Sequence, residues 1–211
     1  MRLTIFGATG GTGRHLVRQA LDAGHEVTAV ARTPARVELH HDRLRVVRGD
    51  VLEPASIGPA LRGAEAVVSA IGPGAGRGPV SVMSAGTRNI IEAMRHAGIR
   101  RLVVVSAAPI GEGDGGTLTY RLLARPLLWA VFRNAYEDMD RMEEAVRCSG
   151  TDWTIMRPPR LTNGPRRGRY RTAVDAALRR GNLLSRADLA DAILRLLDDP
   201  DAVKAAIALG Y

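Results

Sequence analysis

The chain has 211 residues, 45% of them hydrophobic and 25% charged, so it is long enough and apolar enough for one large domain with a real core. Its single cysteine, Cys148, excludes an intramolecular disulfide and points to a reducing, cytoplasmic setting. The net charge of +8 is almost entirely arginine, since Lys204 is the only lysine; scattered arginines of this kind fit a GC-rich coding sequence better than selection for a nucleic-acid partner.

Short apolar runs alternate with helical patterns, the signature of βαβ units. Leu3–Phe6 reads as a first strand and His15–Ala23 as a helix stopped by Gly24. Glu26–Ala31, Leu44–Arg48 and Ala66–Ala70 read as the next three strands. The last of these, Ala-Val-Val-Ser-Ala, is apolar but for Ser69, as suits a strand buried on both faces. A long helix over 80–96 ends at Gly98, and Arg101–Ser106 is the fifth strand. Residues 136–149 read as helix, Trp153–Arg157 as the sixth strand, 186–197 as helix and 205–209 as a short final strand. The fold class expected is α/β: a single Rossmann-fold domain over 1–211, with a doubly wound, mostly parallel sheet and helices on both faces. Residues 107–135 are the least regular and are expected to form a lid or substrate segment. The apolar stretch at 118–132 is interrupted by Arg121, Arg125 and Pro126, so no membrane span is expected.

Residues 7–13 read Gly-Ala-Thr-Gly-Gly-Thr-Gly, between the first strand and the first helix. In a dinucleotide-binding turn Gly7 allows the sharp bend, Gly10 lets the backbone approach a pyrophosphate, and Gly13 lets the helix pack on the strand. Gly11 completes the loop, Thr9 and Thr12 add hydroxyl donors, and the helix N-terminus offers free N–H groups. NAD-binding domains place an acid at the end of the second strand. Here the sequence is Val30-Ala31-Arg32, with Arg36 following. Two guanidinium groups suit a 2′-phosphate, so the expected cofactor is NADP(H); two solvated surface arginines are the alternative. After the third strand, Asp50 and the backbone of Val51 are placed to grip an adenine, unless Asp50 is a helix cap.

The motifs Phe6–Gly13, Val30-Ala31-Arg32 with Arg36, Gly49–Leu52, Val82–Ile90, Val105-Ser106-Ala107, Arg157-Pro158-Pro159 and Ser185–Leu189 extend over nearly the whole chain. Together they resemble an atypical short-chain dehydrogenase/reductase of the NAD(P)H-binding, NmrA-like type, nearest to flavin reductase/biliverdin-IXβ reductase. The resemblance implies NADPH contacts at the glycine loop, Arg32, Arg36, Asp50, Val51, Ile71, Gly72, Met83, Ser106 and Pro158. Where flavin reductase has a histidine just after its paired prolines, this chain has Arg160.

The Tyr-x-x-x-Lys pair of most short-chain dehydrogenases is absent: Ala124, Asp140 and Val174 stand four residues after Tyr120, Tyr136 and Tyr170. No metal-ligand cluster is expected. A reductase built this way needs an acceptor that takes hydride readily and draws its proton from solvent, such as a flavin, quinone or linear tetrapyrrole. Ser106, at the end of the fifth strand, is the candidate catalytic residue, orienting acceptor or nicotinamide; a strand-end cap is its alternative role. The Gly72–Gly78 loop offers close backbone approach nearby. A non-catalytic NADP(H)-sensing regulator of the NmrA type is the competing function. Expected partners are a small planar acceptor, with no nucleic acid or membrane, in a monomer or dimer.

Overall fold

The computed structural model describes residues 1–73, 81–108, 125–178 and 181–211. Eight strands share one sheet: β1 (Arg2–Phe6), β2 (Glu26–Ala31), β3 (Leu44–Arg48), β4 (Ala66–Ser69), β5 (Arg101–Val105), β6 (Asp152–Arg157), β8 (Arg171–Val174) and β10 (Ala205–Gly210). Their order is β3-β2-β1-β4-β5-β6-β10-β8. All pairs are parallel except β10 with β8. Two three-residue strands, β7 (Arg160–Thr162) and β9 (Leu183–Ser185), pair separately. The sequence reading missed β7, β8 and β9, which are three or four residues long, too short to show a strand period, and of which β7 and β8 bury no residue.

Helices α1 (Gly11–Asp22), α2 (Pro54–Ile57), α3 (Val82–Ala97), α4 (Arg125–Arg147) and α5 (Arg186–Arg195) complete the chain. Alternate strand residues feed two cores, as the period of two in a strand requires. Leu3, Ile5 and Val103 pack with Leu16 and Val17 of α1 and Leu189 and Ile193 of α5. Phe6, Leu102 and Val104 pack on the other face with Met83, Ile90 and Met94 of α3 and Met142 and Val146 of α4. The sheet is therefore covered by helices on both sides. The strand order reverses between β1 and β4, and in such sheets ligands bind in the crevice outside the carboxyl ends at that point.

Two expected boundaries move. The first helix begins at Gly11, inside the glycine motif, rather than at His15. Helix α4 begins at Arg125, so the end of the expected lid, 125–135, is regular helix. The rest of that segment, 109–124, including Tyr120, lies outside the described residues, as do 74–80 of the glycine-rich loop. Gly98 ends α3 with φ of 71°, as its position in the sequence implied.

Candidate functional site

The glycine loop spans the turn from β1 to α1 at the switch point. Gly7 has φ of 77°, and a Cβ there would lie 2.5 Å from the carbonyl oxygen of Ala70, just after β4. A Cβ on Gly13 would lie 2.0 Å from the carbonyl oxygen of Gly7, so helix and turn touch backbone to backbone. The N-cap of α1 is Gly10, with no side-chain cap and no acidic residue in the first turn. The first intrahelical bond runs from Arg14 N to Gly10 O at 3.0 Å, leaving the N–H groups of Gly11, Thr12 and Gly13 without an intrahelical acceptor. Thr9 is partly exposed beside them and Thr12 is buried. Free donors at the positive end of a helix dipole, with no acid to repel an anion, fit a pyrophosphate.

Arg32 is the first residue beyond β2 and is exposed. Arg36 closes a 3₁₀ turn over Pro34–Arg36. The structure brings Arg36 to Arg14 and Arg18 of α1, around a cavity of about 260 Å³ that Val17, Leu39 and Glu38 also line. Sequence reasoning missed Arg14 and Arg18. Their signal is helical spacing: four residues apart, they share one exposed stripe of α1.

After β3 the chain turns at Asp50. Its Oδ1 accepts from Leu52 N at 3.0 Å, an Asx turn rather than a helix cap; α2 begins behind Glu53 with no side-chain cap at all. Asn89 of α3 donates to the Val51 carbonyl at 2.8 Å, and Val51 fills the space that a Cβ on Gly86 would need. The Asp50–Val51 turn is thus fastened to α3. Ile71 packs against the α3 side of the core, while a Cβ on Gly72 would meet no atom within 4 Å, so packing does not demand glycine there. Met83 is 1% exposed, and its N–H donates to buried Asp138 of α4, which also accepts from Ser84 N. Asp138 is thus the cap for the α3 N-terminus, supplied from a different helix.

Ser106 follows β5. Its N–H donates to Met156 O, and Ala108 N donates to Pro158 O, both at 2.8 Å, so Ser106 and Pro158 end neighbouring strands side by side. The Ser106 side chain neighbours Glu143, a buried acid of α4 whose pKa it helps to lower. Arg157 grips both Glu143 oxygens, at 3.0 and 2.6 Å, and Arg147 adds a bond at 3.1 Å. Burial pushes the Glu143 carboxyl up, but its bonds from Arg157, Ser106 and Arg147 outweigh this and hold it below the ordinary carboxylate range. An ionised carboxylate only accepts, so the serine is the donor. Asp140, on the exposed side of the same helix, is raised by desolvation and by the charge of Glu143. Neither acid figured among the sequence candidates. Glu143 shares a helix stripe with Met139, Met142 and Val146, a signal of burial visible in spacing alone.

Tyr170, the third tyrosine lacking a lysine partner, donates to Asp191, and burial and that bond push its phenol far up. The arginine cluster at 166–171 is largely engaged: Arg166 pairs with Asp191, Arg167 stacks on Tyr211 and Arg171 donates to the Tyr211 carbonyl. Among the described residues no helix is long and apolar enough to cross a membrane.

The chain matches the model of the NAD(P)H-binding family over residues 7–200. It is 28% identical over 207 residues to Bacillus subtilis (strain 168) YwnB, covering 95% of this chain and 94% of that one. Of two longer relatives it spans only 61% and 35%. A short-chain dehydrogenase/reductase from Veillonella parvula solved in complex with NADP superposes with a TM-score of 0.81 at 22% identity, covering 100% of this chain and 94% of that one. ChuY, an anaerobillin reductase from Escherichia coli O157:H7, superposes with a TM-score of 0.80 at 24% identity, covering 99% and 96%. The fold, the glycine cradle and the family match agree: this chain is a Rossmann-fold member of the NAD(P)H-binding family.

Proposed function

We propose that the protein is an NADPH-dependent oxidoreductase that passes hydride to a planar acceptor: a flavin, a quinone or a linear tetrapyrrole. The bound cofactor supplies the hydride. The glycine loop and the α1 N-terminus hold its pyrophosphate, Arg32 and Arg36 hold its 2′-phosphate, and the Asp50–Val51 turn receives its adenine.

The observation that carries the choice of acceptor is the state of Ser106. It stands beside Glu143, a carboxylate held ionised by the Arg157 clamp, and a hydroxyl facing an ionised carboxylate turns its proton toward it. What remains on the serine is lone pairs. Such an oxygen orients an N–H group, as on a nicotinamide amide or a pyrrole, but does not protonate a carbonyl. An acceptor that takes hydride without a dedicated acid fits this arrangement, and a simple ketone does not. The name of the structural neighbour ChuY supports a bilin among the candidates.

The test is NADPH oxidation followed with FMN, a quinone, biliverdin and, as a control, cyclohexanone. Turnover of at least one planar acceptor and none of the ketone is expected. Turnover of the ketone alone contradicts the reading. Oxidation by no acceptor, with NADP and NADPH bound equally well, favours a sensing protein instead. Asp140→Asn sharpens the point: with solvent as proton source, turnover should stay within about threefold, about 0.7 kcal/mol in barrier. A hundredfold loss with cofactor binding intact would make Asp140 the donor.

A further inference from the structure

Gly11 opens α1, and the space above its Cα is filled. A Cβ built there would lie 2.7 Å from both Cδ and Nε of Arg186, so the arginine side chain rests directly on the first turn of α1. Arg186 is itself the first residue of α5. Its Nη1 donates to Asn163 Oδ1 at 2.7 Å, a neutral partner. Among the described residues no carboxylate lies within ion-pair distance of it, whereas Arg166 and Arg195 nearby both pair with Asp191. A cation thus rests against the first turn of α1, whose three leading N–H groups lack intrahelical acceptors, while the carboxylate in the first turn of its own helix, Asp188, is already taken up by the Arg167 and Gly168 N–H groups and the Tyr211 hydroxyl. An anion lying between the guanidinium and the loop is favoured by both the cation and the free donors.

We infer that Arg186 closes over the pyrophosphate of the bound dinucleotide, as a clamp reaching from α5 onto α1, and that position 11 is glycine so that the side chain can lie there. The inference rests on the cofactor position given above. The arginines then have separate targets. Arg186 grips what NADPH and NADH share, whereas Arg32 grips what they do not. The glycine motif carries no trace of this contact, because the two residues are far apart in sequence and meet only through the packing of α1 on α5.

The experiment is titration of NADPH, NADH and ADP-ribose into wild type, Arg186→Gln, Gly11→Ala and the double variant, with thermal midpoints recorded as a check on folding. ADP-ribose carries the pyrophosphate but neither the 2′-phosphate nor the nicotinamide. Arg186→Gln should weaken all three ligands by a similar factor, about tenfold or more, as loss of a charge-assisted bond implies. Gly11→Ala should give the same pattern, because the added methyl displaces the arginine, and the double variant should be little worse than Arg186→Gln alone. A loss below about threefold for all three ligands overturns the clamp. So does a loss confined to NADPH, which would move Arg186 to the 2′-phosphate, and so do fully additive effects. If wild type binds none of the three, the cofactor position fails first and the clamp with it.

Discussion

Helices α1 and α5 pack against each other on one face of the sheet, joined by a bond from Gln19 Nε2 to Ala187 O at 2.9 Å, yet their N-termini are finished in opposite ways. The α5 end is closed from within. Ser185 accepts from Asp188 N at 2.9 Å, and buried Asp188 accepts from the N–H groups of Arg167 and Gly168, both at 2.8 Å, and from the Tyr211 hydroxyl. The α1 end has glycine as its cap, no acid in its first turn and three donors without intrahelical acceptors. A protein that caps one helix so thoroughly and leaves its neighbour bare has reserved the bare end for a ligand, because orphaned donors there cost stability until something satisfies them. The comparison also separates two uses of polar groups. At α5 they hold the 166–170 loop and Tyr211 in place, and at α1 their absence makes room.

The comparison breaks most severely at Gly13. An alanine there puts Cβ 2.0 Å from the Gly7 carbonyl oxygen, with backbone on both sides and no side chain free to yield. Gly13→Ala should lose at least about 3 kcal/mol of stability in denaturant titration, and cofactor binding with it. A well-folded variant would show that the close helix–turn contact is dispensable.

At the other helix, burial pushes the Asp188 carboxyl up, and the bonds from Tyr211, Gly168 and Arg167 overcome this to hold it below its ordinary range. A depressed carboxyl stabilises the fold above its unfolded pKa of about 3.9, and that contribution disappears as pH falls through the folded value. Asp188→Asn should cost about 2–3 kcal/mol near neutral pH, since the buried donors around it lose a charged acceptor. It should also flatten the decline of the thermal midpoint below about pH 4. An unchanged acid limb would mean that Asp188 does not tie the loop to α5. Ser185→Ala is the mildest of the three, at about 1 kcal/mol from a lost cap, read from the denaturant midpoint. Unchanged stability would show that Asp188 closes the α5 end without its serine.

The bare end was the legible one. Glycines at 7 and 13 are demanded by local backbone contacts, so their place in the motif reads directly from the sequence, and the missing acid at 30–32 reads as plainly. The parallel strands of the main sheet were legible as short runs rich in β-branched and apolar residues between turn and helix signals. What escaped was everything whose meaning lies in a distant partner. Glu143 looks like half of an i,i+4 pair with Arg147, and that pair exists. Its bonds to Arg157 and Ser106 require β5, β6 and α4 to be assembled first. Arg186 sits inside Ser185-Arg186-Ala187-Asp188, a helix-start pattern that accounts for the serine and the aspartate and is silent about the arginine. The short strands β7, β8 and β9 form by pairing with neighbours rather than from their own periodicity.

The claim that the α1 end and its surroundings are built for NADP(H) is tested most directly by two dissociation constants. NADPH and NADH should be titrated into wild type and Arg32→Ala. One charge-assisted contact to the 2′-phosphate contributes about 1.5–3 kcal/mol, so wild type should bind NADPH at least about tenfold more tightly. Arg32→Ala should remove most of that preference while leaving NADH within about twofold, and raised salt should erode it, because Arg32 is exposed. Equal affinity for the two nucleotides in wild type, or equal losses in the variant, would contradict the assignment and return Arg32 to the ordinary surface.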